Sequence, residues 1–209
     1  MSTKLDNYST GGGKKDFGRV DDGTYPGRCV QVVILGRHKE TDWKTGQVKT
    51  YDDGNPVVQP KVFFTWELPD ETIEINGEEK PRWYSKEFTI SASERANLPK
   101  IMAALDAGND MADALTKPCL VNIGSTSTGK AKVTGITKVP KGMAVGELVN
   151  DPKLFDPYDP DMETWEKLPQ FLQKKIKEAE DFEDMKLSSL LAVSVEDGGF
   201  EDDEDEEMF

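Results

Sequence analysis

Short runs of β-branched and aromatic residues alternate along this chain with polar, turn-rich stretches, and only a few segments carry a helical period. Residues 25–39 contain Cys29, Val30, Val32, Val33, Ile34 and Leu35, an apolar run too rich in β-branching for a helix, so a first strand is expected there. Residues 60–68 alternate, with Val62, Phe64, Trp66 and Leu68 on one face and Lys61, Phe63, Thr65 and Glu67 on the other, which predicts a second strand. The intervening 36–59 mixes bases, aromatics and the turn formers Asp53, Gly54, Asn55 and Pro56, and reads as a long loop or ragged hairpin. Residues 71–75 and 82–90 flank Asn76-Gly77, the dipeptide that best tolerates a tight hairpin turn, and give a third extended region. Ser91 and Glu94 then form a capping-box pattern, and Leu98, Ile101, Met102 and Leu105 mark one face of a helix ending near Gly108. A short helix over 111–115 and strands over 119–123 and 131–139 follow, the strands joined by the small-residue loop 124–130. Residues 151–171 read as an extended connector into a helix over 162–182, whose apolar face is Trp165, Leu168, Phe171, Leu172 and Ile176 and which Pro169 threatens to break in two.

Strand, strand, strand hairpin, helix, strand, strand is the element order of an OB-fold. The expectation is a mainly β protein: an OB-fold-like five-stranded Greek-key barrel with a helix between strands three and four, an extra C-terminal helix and a disordered acidic tail. The expected divisions are a flexible arm over 1–19, a barrel domain over 20–145, a connector and helical extension over 146–186, and the tail over 187–209. Charge separates the tail from the body. The chain of 209 residues has a formal net charge of −14, but from Glu178 onward fourteen carboxylates face one lysine, so residues 1–177 hold 25 basic and 26 acidic side chains. A nearly neutral body allows a local basic stripe without requiring one. Neither a secretory signal nor a membrane span is read, so a cytoplasmic protein is expected. Cys29 and Cys119 sit singly in apolar runs and suit buried reduced thiols, and with His38 as the one histidine a zinc site lacks ligands. No cofactor is expected.

Two motifs suggest enzymes and are set aside. Gly124 to Lys130 fits GxxxxGK, but position 131 is Ala, without the hydroxyl that would hold magnesium, and the following residues read as a strand where a P-loop needs a helix. Asp151, Asp156, Asp159, Asp161 and Glu163 could be imagined around a metal, yet they crowd one proline-broken segment with no distinctive spacing. Binding single strands calls instead for aromatic faces interleaved with bases. Arg37, Lys39, Trp43, Lys44, Lys49 and Tyr51 supply these in the first long loop, Lys61 and Phe63 on the second strand, Arg82, Trp83 and Lys86 on the third, and Lys130 and Lys132 around the last hairpin loop. Phe64, Trp66, Phe88 and Trp165 read as core, Phe63 and Trp43 fit either role, and which of Trp83 and Tyr84 points outward is open.

The end of the chain is the most distinctive segment. Seven consecutive carboxylates, Glu201 to Glu207, run into Met208 and Phe209, a block that cannot fold on its own and whose apolar atoms lie at the very end. A solubilising tail needs no Phe209. With the element order, the basic and aromatic loop and the 165–176 segment, this tail resembles that of bacteriophage-encoded single-stranded DNA-binding proteins. The resemblance implies non-specific binding of single-stranded DNA in phage replication or recombination within the host cytoplasm. It also implies that Asp205, Glu206, Glu207, Met208 and Phe209 recruit a polymerase, primase-helicase or recombinase, and it is compatible with a homo-oligomer. Met208 stands where the bacterial tail consensus has proline, which favours the phage's own partners over host receptors. The rival reading is an adaptor or assembly protein without DNA affinity, its tail mimicking nucleic acid for a basic partner.

Overall fold

The computed structural model describes residues 19–196 other than 43 and 94, with side chains through residue 193. Its elements are β1 (Gly23–Lys39), β2 (Val58–Ile75), β3 (Glu78–Thr89), α1 (Asn97–Ala104), β4 (Pro118–Ser125), β5 (Ala131–Thr137), β6 (Lys153–Phe155), α2 (Met162–Lys167), α3 (Gln170–Lys177) and α4 (Lys186–Glu196). The strands form one six-stranded sheet in the order β3-β2-β1-β4-β5, antiparallel throughout that path, with β6 joining β1 in parallel. The protein is thus mainly β, with the expected order of its first five strands and helix.

β1 is the organising strand. Its residues 28–39 pair with β2 along one edge, while residues 23–28 pair with β4 and residues 31–33 with β6 along the other. Register shifts between Cys29 and Gln31 and between Ile34 and Gly36 bend it, as bulges do. Gly27 sits in the crowded stretch: a Cβ there would lie 2.8 Å from the Glu67 carbonyl oxygen and 2.9 Å from Leu68 Cδ2. The Asn76-Gly77 turn is formed as expected, both residues at positive φ, 55° and 83°.

The edge strands β3 and β5 share no backbone ladder, so the sheet is open there and the closed five-stranded barrel is not formed. A side chain spans the gap instead, with Lys86 Nζ donating to the Val133 carbonyl oxygen at 3.1 Å.

Both faces of the sheet are covered. Val32, Val62, Phe64, Trp66, Leu68 and Phe88 pack on one side with Leu98, Ile101, Met102 and Leu105 of the α1 region, which plugs that core. On the other side Val33 and Leu35 of β1 and Phe155 of β6 pack against Trp165, Leu168, Leu172, Ile176, Met185 and Leu187.

Several expectations are corrected in detail. The helix expected from Ser91 starts at Asn97 after an Ala96 N-cap with no side-chain hydrogen bond; Ser91 Oγ accepts from the Ser93 amide, a local turn, and Glu94 lies outside the described residues. The 111–115 helix is a 3-10 turn, Met111–Ala114, capped by Asp110. The single helix over 162–182 is two, α2 and α3, split at Leu168 and Pro169 because proline cannot continue the hydrogen-bond ladder. The connector contains β6. The segment expected as tail from 187 begins as helix α4, with Leu187 fully buried, because apolar residues precede the charge block.

Trp66 is fully buried and stacks on Phe64 with centroids 5.8 Å apart, whereas Phe171 is 58% exposed. Chemical denaturation should therefore find Trp66→Ala destabilised by about 3–5 kcal/mol, and Phe171→Ala by no more than about 1 kcal/mol.

Candidate nucleic-acid interface

The residues expected to touch nucleic acid fall into two groups with different electrostatic surroundings. Those from the loop between β1 and β2 lie beside carboxylates. Lys39 pairs with Glu180 at 3.0 Å, and Lys49 approaches Glu40 at 3.9 Å. Lys61, buried on β2, donates to Glu40 and to Thr89 Oγ1. Arg37 is exposed, its backbone amide donating to Asp181 Oδ1 at 2.7 Å. Lys44 lies at a turn in which Asp42 Oδ1 accepts from the amides of Lys44 and Thr45. Tyr51 is exposed, and Trp43 lies outside the described residues. Phe63 is no open platform: it is half-buried with its ring edge-on to Phe171 of α3, centroids 5.8 Å apart, and beside it Lys175 pairs with Glu87.

The second group gathers at the open seam between β3 and β5. A cleft of about 590 Å³ runs there, lined among others by Arg19, Lys80, Arg82, Trp83, Tyr84, Ala131 and Asn150. Ala131 lies between Lys130 and Lys132, both exposed, and among the described residues neither they nor Lys86 pair with a carboxylate. Lys86 is half-buried with its ammonium 5.6 Å from the Phe88 ring centroid. Burial, and then the neighbouring charge of Lys132, push that ammonium below its ordinary pKa. Lys86, Lys130 and Lys132 thus carry positive charge at the seam that no carboxylate among the described residues pairs with.

Strand alternation decides between the two neighbouring aromatics. Tyr84 opposes Trp66 across the β2–β3 ladder and packs against the first core, whereas Trp83 points to the other face, is 39% exposed, and donates its Nε1 hydrogen to Glu67 Oε2 at 2.9 Å. Of the expected site residues Arg82 and Trp83 line the cleft, Lys130 and Lys132 flank its Ala131, and Lys86 points to the opposite face of β3 from Trp83, towards Phe88 and Val133. Arg19 was missed because it reads as part of a loose N-terminal arm, yet its guanidinium donates to Ser125 Oγ at 2.5 Å and to the Gly129 carbonyl at 2.7 Å. Asn150 was missed because nothing in an isolated Asn signals its contact.

No protein-family model, curated protein or solved structure matches this chain significantly. The loop and four of the five carboxylates that raised enzymatic possibilities have local structural partners. The 124–130 loop closes as a hairpin, with the Thr126 amide donating to the Lys130 carbonyl, and leads into β5, so no helix N-terminus faces it. Asp161 caps α2, Asp156 Oδ1 accepts from the Tyr158 amide, Asp159 pairs with Lys186 and Glu163 with Lys167. Among the described residues no cluster of three or more His, Cys, Asp or Glu could hold a metal ion, and no helix is long and apolar enough to cross a membrane. Cys29 and Cys119 are buried free thiols, burial raising the Cys29 pKa to about 12. The tail residues Asp205 to Phe209 lie outside the described residues.

The hydrogen bond from Lys61, reinforced by the charges of Lys61 and Lys49, holds the Glu40 carboxyl below its ordinary pKa. A carboxylate with a depressed folded-state pKa stabilises the protein above the unfolded value and loses that contribution as pH falls through the folded value. Glu40→Gln should therefore cost about 1–2 kcal/mol at pH 7, and this difference from wild type should shrink towards zero as urea titrations are taken down through the acid carboxylate range.

Proposed function

We propose that this protein binds single-stranded DNA with weak sequence preference along the seam between β3 and β5. The observation that carries the reading is the exposed Trp83 ring at a cleft that Arg19, Lys80 and Arg82 also line, next to a seam where Lys86, Lys130 and Lys132 have no carboxylate partner among the described residues. An aromatic face takes any base, contributing about 1–3 kcal/mol per stacked base, and unpaired ammonium groups take phosphates. Base-edge readout would call for a helix or ribbon shaped to a duplex groove, and the seam offers a narrow cleft instead.

The sheet supports the reading as an OB-fold-like barrel left unclosed. A long first strand shared between β2 and β4, a helix between β3 and β4 plugging the core, and a hairpin loop between β4 and β5 beside the binding cleft are the features of that architecture. The acidic tail fits the same reading, phage origin and cytoplasmic action included: Asp205, Glu206, Glu207, Met208 and Phe209 would recruit a replication or recombination protein, while the carboxylate run competes with DNA for the cleft. The paired lysines of the β1–β2 loop favour the rival adaptor reading only if the seam, too, fails to bind.

A fluorescence titration with oligo(dT) at several salt concentrations tests this. With about four to six phosphates neutralised, log affinity should fall against log salt with a slope of roughly −3 to −4. Lys130→Ser with Lys132→Ser should weaken binding and make the slope shallower by about 1 to 1.5, while Lys39→Ser with Lys49→Ser should change it little. No binding at low salt, or equal affinity for duplex, overturns the proposal.

Removing residues 200–209 should tighten oligo(dT) binding most at low salt, because a tethered polyanion reaches about millimolar effective concentration and its charge is screened as salt rises. Phe209→Ala should leave that affinity unchanged while abolishing capture of the cognate polymerase or helicase. Weaker DNA binding on truncation would exclude shielding.

A further inference from the structure

Glu67 is the only fully buried carboxylate among the described residues, and it sits on the strand face that leads to the cleft. Three neutral donors converge on it: Trp83 Nε1 at 2.9 Å and Asn150 Nδ2 at 2.6 Å on Oε2, and the Val149 amide at 2.6 Å on Oε1. Among the described residues no cation pairs with it. Arg28, its partner across the β1–β2 ladder, is turned instead to the carbonyls of Val145 and Gly146, at 3.2 and 2.7 Å, and to Glu147. Residues 145–150 are therefore strapped onto the sheet from both sides, their carbonyls by Arg28 and their donors by Glu67.

A buried carboxylate costs desolvation energy that three hydrogen bonds only partly offset, so a site of this kind is poorly explained by stability alone. Its one contact with an exposed functional group is the Trp83 indole. An exposed tryptophan without a fixed N–H would sample several rotamers, and a base stacking on it would have to freeze them. We infer that Glu67 is a positioning residue: it holds the Trp83 ring in one orientation, with its polar edge tied to the strap, so that the ring face stands ready for a base. This rests on the proposed single-strand binding at the seam and adds to it a named determinant outside the contact surface.

The charge and both oxygens matter. In Glu67→Gln one of the two oxygens becomes an amide nitrogen, which cannot accept, so either the Val149 amide or the Trp83 and Asn150 pair loses its acceptor. The test is a double-mutant cycle on oligo(dT) affinity in the full-length protein, with Trp83→Phe as the second variant, since phenylalanine keeps a stacking face but has no N–H. Each single variant should weaken binding by roughly three- to tenfold, with the wild-type salt slope, because no phosphate contact is lost. The double variant should be no weaker than the weaker single.

Independent effects whose fold-changes multiply overturn the inference while leaving the binding reading intact. Absence of oligo(dT) binding by the wild type overturns both. Should Glu67→Gln fail to fold, as judged by far-UV circular dichroism, Trp83→Phe alone decides: affinity equal to wild type shows that the indole N–H positions nothing.

Discussion

The burial of β1 on both faces is the constraint on which the rest of the fold depends. A strand exposed on one side can alternate polar and apolar residues, but Cys29 to Leu35 is almost unbroken apolar sequence, and six of these seven residues are buried. Val32 faces the core that α1 plugs, and Val33 and Leu35 face the opposite way. The second face has to be covered by something. β6 and helices α2 to α4 provide that cover, which is why a chain with one conventional sheet core carries a further forty residues of closely packed structure after it. The docking is tight at Gly36, where φ is 82° and a Cβ would meet Met185 Cε at 2.2 Å, so that only glycine admits the helices at this distance.

This second core also decides where a nucleic acid could lie. By covering the outer face of β1 and part of β2 and β3, the helices withdraw Phe63 from solvent, bring Glu180 up to Lys39 and set Lys175 against Glu87 of β3. Surface pairs of this kind contribute little stability, yet they cancel local potential effectively. What survives is the seam, which the helices do not reach. The overall charge of −14 is no guide to that seam, because recognition depends on the field within about a Debye length of the cleft, and the carboxylates that dominate the total lie at the end of the chain.

Much of this was legible in the residues and some of it could not have been. The order of the first five strands and α1 followed from periodicity, the Asn76-Gly77 hairpin from its turn chemistry, and the break at Pro169 from the missing amide hydrogen. β6 was not legible, since three residues in a proline-rich connector carry no period and pair with β1 only because the second face demands cover. The site was read in part. Interleaved bases and aromatics marked Trp83, Lys86, Lys130 and Lys132, but the same signal marked the β1–β2 loop, because sequence shows which cations are present and conceals which carboxylates come to meet them. Glu67 was hidden for a related reason: in an alternating strand a glutamate opposite apolar positions reads as facing water, and only the return of residues 145–150 buries it.

The dimensions of the seam set what kind of binder the proposed reading describes. The one exposed tryptophan among the described residues contributes the energy of a single stacked base, about 1–3 kcal/mol, so on the proposed reading most of the affinity comes from phosphate neutralisation. Binding of that composition is weak at high salt and indifferent to sequence. It is also the composition against which a tethered acidic segment competes best, because carboxylates can replace phosphates at the same lysines but cannot replace a base on an aromatic ring. A cleft with several stacking platforms would be largely immune to such competition; one with a single platform and several unpaired lysines is sensitive to it, and the fixed orientation of that one ring then weighs more heavily in how well the strand competes with the tail.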